Sequence, residues 1–262
     1  MLVALSFLTV VPATSLPGLL KRNPTQREIS DSRAYYPAVG LLIGVMLVGI
    51  ERGSREVFPD YLTAAVLLVS MVMLNRGLHL DGLMDTCDGL FGGFTPERRL
   101  EIMRDPQVGA YGVAGGIGIL LLKYGALVSL LGLEEPGKEW SLLLFPMVSR
   151  WSMVVALGAF PYARSSGLGS PFHQGSIIWP TTVAAVVAVV AAVLLGAIGG
   201  AGMLAGATAI AWLLGWAMAS KIGGLTGDSY GAINEVVETL TLLAAVAMLP
   251  HGWVEPLTET LG

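Results

Sequence analysis

The sequence predicts an all-α fold: a polytopic transmembrane helical bundle of about seven spans, with short cytoplasmic helices, in one integral membrane domain over residues 1–262. Three observations predict it. Of the 262 residues, 54% are hydrophobic and only 13% are charged, whereas about a quarter are charged in an ordinary soluble domain. The mean hydropathy is +0.70. Apolar runs close to the ~20 residues needed to cross a bilayer recur along the chain, separated by short polar stretches. The 34 glycines suit close packing of helices in lipid. The formal net charge of −4, with no dominant basic patch, excludes a nucleic-acid binder. The single cysteine, Cys87, excludes an internal disulfide.

The apolar start, M-L-V-A-L-S-F-L-T-V-V-P, has no basic n-region and is too short to span. It reads as an interfacial or re-entrant segment, not a cleavable signal. The spans expected next are residues 34–50, 61–78, 109–131, 141–160, 177–197, 203–220 and 232–249. Basic residues orient them. Lys21, Arg22, Arg27, Arg33, Arg76, Arg98, Arg99, Arg104, Arg164 and Lys221 fall on one side, and Arg52, Arg55 and Lys138 on the other. The positive-inside rule places the first set in the cytoplasm, together with every motif-rich loop. Lys123 and Arg150 lie inside spans, where a charge is costly and marks a functional site.

The most informative stretch runs from Arg76 to Gly93, R-G-L-H-L-D-G-L-M-D-T-C-D-G-L-F-G-G. Asp81, Asp85 and Asp88 are spaced i, i+4, i+7, within about 60° of one another on a helix. Three like charges so stacked repel and call for a cation between them. A carboxylate-only set suits a hard cation, Mg²⁺ or Mn²⁺, which is held by one or two carboxylates plus waters and substrate phosphates. His79 precedes the aspartates by two residues and is a candidate proton shuttle. Cys87 points off that face.

The segment P-E-R-R-L-E-I-M-R-D-P-Q-V-G-A-Y-G opens with Pro96 and Glu97 at a helix start. Arg98 and Arg104 match phosphate oxygens with guanidinium forks, and Asp105 is a candidate base or further ligand. Taken alone, the segment reads more readily as a surface helix with internal ion pairs between its arginines and Glu101; beside the aspartates the phosphate-binding reading is preferred. A third loop, G-G-L-T-G-D-S-Y-G-A-I-N-E-V-V-E, offers free backbone N–H groups, with Asp228, Asn234, Glu235 and Glu238 entering the last span. A second ligand set from Asp228, Glu235 and Glu238 is expected to converge on the aspartates, with Asn234 on the substrate. The loop P-Y-A-R-S-S-G-L-G-S-P-F-H-Q-G places Arg164 for a phosphate; its His173 reads as a solvated histidine.

These blocks resemble the cobalamin synthase family, adenosylcobinamide-GDP ribazoletransferase, across nearly the whole chain. H-L-D-G-L-M-D-T-C-D-G and L-E-I-M-R-D are the most specific, with S-F-L-T-V-V-P, Y-Y-P-A-V-G-L-L-I-G, V-S-R-W and T-G-D-S-Y-G-A-I-N-E in support. Val10 departs from the arginine often found there in the family. The resemblance implies transfer of adenosylcobinamide phosphate from adenosylcobinamide-GDP to α-ribazole or its 5′-phosphate, releasing GMP. It also implies Mg²⁺ dependence and a multi-pass location in the bacterial cytoplasmic membrane. The diphosphate chemistry assigns metal to Asp81, Asp85 and Asp88, phosphate oxygens to Arg98, Arg104 and Arg150, and the base to Asp105 or Asp88. Lys123 joins the substrate-binding set. Asp85-Thr-Cys-Asp88-Gly89 is more loosely similar to the opening of the CDP-alcohol phosphotransferase motif. That enzyme class and a cation-coupled transporter are the rival readings. The sequence leaves a homo-oligomer open.

Overall fold

A computed structural model describes residues 1–11, 23–133, 137–164, 169–173 and 176–253, without the side chains of Ser170 and His173. Lys21, Arg22, much of the Arg164 loop and the His173 side chain therefore lie outside what can be described. The described residues fold into helices α1 (Leu2–Leu8), α2 (Gln26–Ser32), α3 (Tyr36–Arg55), α4 (Asp60–Leu74) and α5 (Leu78–Gly92). They continue as α6 (Pro96–Ile102), α7 (Ala110–Leu131), α8 (Gly137–Ala159), α9 (Ile178–Ile222) and α10 (Gly227–Met248). No strand is present among the described residues, because backbone polar groups in lipid must be satisfied within each segment.

Five of these helices are long and apolar enough to cross a membrane, and α4 with α5 makes a sixth, bent by 84°. The bend follows from Arg76 (φ 54°) and Gly77 (φ 68°), two successive left-handed residues that no helix can carry. A straight α9 would be about 68 Å long, more than twice the bilayer core. It is broken at Ala197 (φ 43°, ψ −128°). A methyl on Gly158 would touch Ile177 and Thr181 at the start of α9, while Phe160, beside it on the chain, packs on Trp212 near the end of α9. Both ends of α9 thus flank the same end of α8, and α9 is a hairpin of two arms. Six candidate crossings become seven when α9 is so divided, matching the sequence expectation.

The core centres on α8, whose most apolar window is 72% buried, against 28% for lipid-facing α7. Helix α3 crosses it closely. A methyl at Gly44 would come 2.7 Å from Leu143 Cα, so only glycine allows that approach. At the chain start, α1 buries Ala4 and Leu8 in the core. Val10 N–H then donates to the Leu74 carbonyl (2.8 Å) at the α4–α5 turn. The short α2, which the hydropathy pattern did not anticipate, is opened by a capping box between Thr25 and Glu28.

Candidate functional site

The site forms where α5 and the start of α10 meet backbone to backbone. A methyl on Gly82 would lie 2.8 Å from the Asp228 carbonyl oxygen and 2.9 Å from its Cα; one on Gly231 would lie 3.1 Å from His79 Cα. Glycines at these two positions therefore bring the residues around Asp81 against those around Asp228. The neighbouring loop is pinned by a short parallel bridge between Tyr162 and Leu225. Ala163 N–H donates to the Leu225 carbonyl and Leu225 N–H to the Pro161 carbonyl, both at 2.8 Å. Gly224 (φ 157°) permits the approach, since a methyl there would sit 2.6 Å from the Pro161 oxygen. This fixing delivers Arg164 Nη2 to 3.1 Å from Asp228 Oδ2.

A cavity of about 150 Å³, partly open to solvent, occupies this junction. Its polar lining comes from His79, Asp81, Arg164 and Asp228, and its aromatic lining from Phe7, Tyr36, Tyr162, Phe172 and Tyr230. The Asp85 carboxylate, half-buried, feels the negative charges of Asp81, Asp228 and Asp88, with Arg164 the opposing cation. The arrangement is an acidic cluster with one guanidinium across it, suited to binding a cation and a phosphate together.

The other expected residues fall into three groups. Asp88 is spent on α7: its carboxylate accepts the Gly109 N–H (2.7 Å) and the Gly112 N–H (2.8 Å), clamping that helix start. Arg98, Arg104 and Asp105 lie on or just after α6 and none lines the cavity. Arg98 pairs with Glu101 at 2.7 Å, both exposed, and Asp105 accepts the Gln107 N–H at 2.9 Å in its own turn. The third group is buried. Lys123 Nζ donates to Glu235 and to Glu238, each at 2.6 Å. Arg150 Nη1 donates to Glu238, and Arg150 Nη2 to Asn75 Oδ1 at 2.9 Å.

Glu235 and Glu238, expected beside the aspartates, thus have their oxygens on Lys123 and Arg150. The physical reason is that two carboxylates in a span are matched at least distance by two cations on facing helices. Asn234, expected on the substrate, instead meets His79 Nδ1 at 3.0 Å. That contact connects the buried group to the cavity. Among the described residues, no three His, Cys, Asp or Glu side chains are close enough to hold a metal ion by themselves.

Sequence reasoning did not single out Asn75, Ser149 or the five aromatic residues of the cavity. Tyr36 and Tyr230 stand inside quoted motifs. The rings that meet Tyr36, Phe7 and Phe172, lie 29 and 136 residues away along the chain, and no local spacing signals that convergence.

Residues 1–246 match the family described as cobalamin-5-phosphate synthase. The chain is 39% identical over 249 residues to the adenosylcobinamide-GDP ribazoletransferase of Desulfitobacterium hafniense (strain Y51), covering 94% of this chain and 96% of that one. It is 41% identical over 256 residues to the protein of the same name from Ectopseudomonas mendocina (strain ymp), covering 94% and 98%. It is 35% identical over 258 residues to the one from Chlorobaculum tepidum, covering 97% and 95%. No solved structure matches.

Proposed function

This chain belongs to the cobalamin-5-phosphate synthase family, and from that premise we propose how its cavity serves transfer of adenosylcobinamide phosphate from adenosylcobinamide-GDP to α-ribazole or its 5′-phosphate, with release of GMP. The observation that carries the reading is the contact of α5 and α10 through Gly82, which sets Asp81 and Asp228 on one cavity with Arg164 Nη2 3.1 Å from Asp228 Oδ2. Family membership, over nearly the whole length of both chains, displaces the transporter and CDP-alcohol readings.

A hydroxyl of the α-ribazole ribose attacks the phosphorus on the cobinamide side of the diphosphate. The new P–O bond forms as the P–O bond to GMP breaks, in line with the departing oxygen. Arg164 holds equatorial oxygens. One of Asp81, Asp85 and Asp228 takes the hydroxyl proton. Of the two bases first considered, Asp88 has its oxygens on the start of α7 and Asp105 lies off the cavity.

The donor set fits Mg²⁺ in one particular way. Asp81, Asp85 and Asp228 offer hard oxygens, yet no three ligands are preassembled among the described residues. Such a set suits an ion that arrives shared with the diphosphate, since Mg²⁺ needs only one or two carboxylates beside phosphate oxygens. Bound there, it would neutralise the diphosphate and the leaving oxygen. Lys123, Arg150, Glu235 and Glu238 serve the site at one remove, by positioning Asn234 and hence His79.

The bias of basic residues supports a multi-pass protein of the bacterial cytoplasmic membrane with this cavity facing the cytoplasm. The test is direct. Purified protein with Mg²⁺, adenosylcobinamide-GDP and α-ribazole should release GMP, and Asp81→Asn should lower the rate by at least about 100-fold. A wild-type preparation that is folded and releases none overturns the reading.

A further inference from the structure

We infer that Asn75 is a positioning residue for the transfer: held by Arg150, it sets the angle at which α5 leaves α4 and so fixes where Asp81 stands against Asp228. The inference rests on the reaction just proposed. Only Asn75, Arg76 and Gly77 join the two helices, across a bend of 84°. Asn75 belongs to both. Its N–H donates to the Met71 carbonyl of α4 (3.4 Å), and its carbonyl accepts the N–H of Leu78, the first residue of α5 (3.0 Å). Asp81 follows one turn later, its N–H on the Gly77 carbonyl at 2.9 Å. Arg76 between them is left-handed (φ 54°). That conformation is strained for arginine and persists only where the surroundings enforce it.

The enforcing contacts come from other parts of the chain. Arg150 Nη2 donates to Asn75 Oδ1 at 2.9 Å. Arg150 is 0% exposed and Asn75 6%, so this charge-assisted bond is shielded from water and strengthened by its surroundings. On the outside, Arg76 Nη2 donates to the Ser6 carbonyl at 2.9 Å, in an exposed position. The backbone does not call for asparagine at 75. Its φ of −94° and ψ of 5° are open to most residues, and the left-handed positions that favour asparagine are the two that follow. The side-chain oxygen is therefore what the position uses.

Helix α5 is then held at both ends. Asp88 ties its far half to the amides of Gly109 and Gly112, and Asn75 ties its near end to α8. The close approaches at Gly82 and Gly231 let α5 meet α10, but a glycine has no side chain with which to fix an angle. With the far half anchored, a change at the elbow falls on Asp81. A displacement of about 1 Å at a reacting group is enough to cost up to about 100-fold in rate.

Two variants and one distance test this. Asn75→Leu has a similar shape and no acceptor; Asn75→Asp presents an acceptor oxygen in either protonation state. Asn75→Leu should lower kcat about 10- to 100-fold with both KM values within about twofold of wild type. Asn75→Asp should recover kcat to within about threefold. An Asn75→Leu enzyme with the wild-type kcat overturns the inference, and so does an Asn75→Asp enzyme no better than Asn75→Leu, which would make the position one of packing alone. The elbow itself is read without turnover, by pulsed electron paramagnetic resonance between spin labels at Val69→Cys on α4 and Phe91→Cys on α5. Both positions are exposed, and Cys87→Ala removes the native thiol. A narrow distance distribution is expected with Asn75 or Asn75→Asp, and a shifted or broadened one with Asn75→Leu. An unchanged distribution in Asn75→Leu removes the elbow's dependence on Arg150 even if the reaction stands. A shifted distribution in protein that releases no GMP sustains the elbow and places the fault in the reaction.

Discussion

Replacing Glu238 by glutamine separates a structural role for the buried charges from a metal-binding one. Glu238 is 1% exposed and receives Lys123 Nζ at 2.6 Å, Ser149 Oγ at 3.2 Å, and Arg150 Nη1. Glutamine keeps the shape and removes the charge. Two cations, Lys123 and Arg150, then face one carboxylate, Glu235, in a site with no water access to screen them. Removing one partner of a buried pair costs about 3–5 kcal/mol. For a chain of this size, that corresponds to a fall in Tm of roughly 6–20 °C. Thermal unfolding of detergent-solubilised protein by size-exclusion chromatography after heating reads the shift. The Mg²⁺ concentration giving half-maximal GMP release, measured on the folded fraction, should be unchanged. Adding Lys123→Met to Glu238→Gln restores neutrality and should recover part of the loss, because contacting residues are not additive. An unchanged Tm with a tenfold weaker response to Mg²⁺ would refute the reasoning, and would return Glu238 to the metal.

Asp85→Asn should abolish GMP release to below about 1% while leaving expression and Tm near wild type, as its carboxylate is not the partner of a buried cation; retained turnover removes it from the site. Asp88→Ala should behave in the opposite sense. Two charge-assisted bonds to the start of α7 are lost, so Tm should fall by an amount equivalent to about 2–4 kcal/mol, with the Mg²⁺ response intact. Gly82→Ala forces a methyl to within 2.8 Å of the Asp228 carbonyl oxygen, which should separate α5 from α10. The expected result is a loss of activity of at least tenfold for about 1–3 kcal/mol of stability. Removing Mg²⁺ with EDTA should stop GMP release, and adding it back should restore the rate. Activity that persists in excess chelator refutes the metal proposal.

Much of the fold was legible because bilayer thickness imposes a length that apolar runs must meet. Each of the seven expected spans has a helix beneath it. The two at 177–197 and 203–220 are the arms of α9, and the structure joins them through a single non-helical residue, Ala197, where a loop was expected. Helical periodicity also placed Asp81 and Asp85 together. It could not show that Asp88 would turn to the amides of Gly109 and Gly112, because a contact between α5 and α7 is tertiary. The in-span charges Lys123 and Arg150 were rightly conspicuous. Their partners could not be read from spacing, since Glu235 and Glu238 lie more than eighty residues further along the chain. The packing of Phe7, Tyr36 and Phe172 was illegible because α1, the start of α3 and the turn before α9 meet only in the folded chain.

The quartet of Lys123, Arg150, Glu235 and Glu238 has a consequence for biogenesis. Its cations sit on α7 and α8, which leave the ribosome well before α10 brings both anions. Until that last helix is inserted, two unmatched positive groups are stranded at bilayer depth. The early helices must therefore wait in a loose, hydrated or chaperoned arrangement, and the final span acts as the latch that drives the bundle shut.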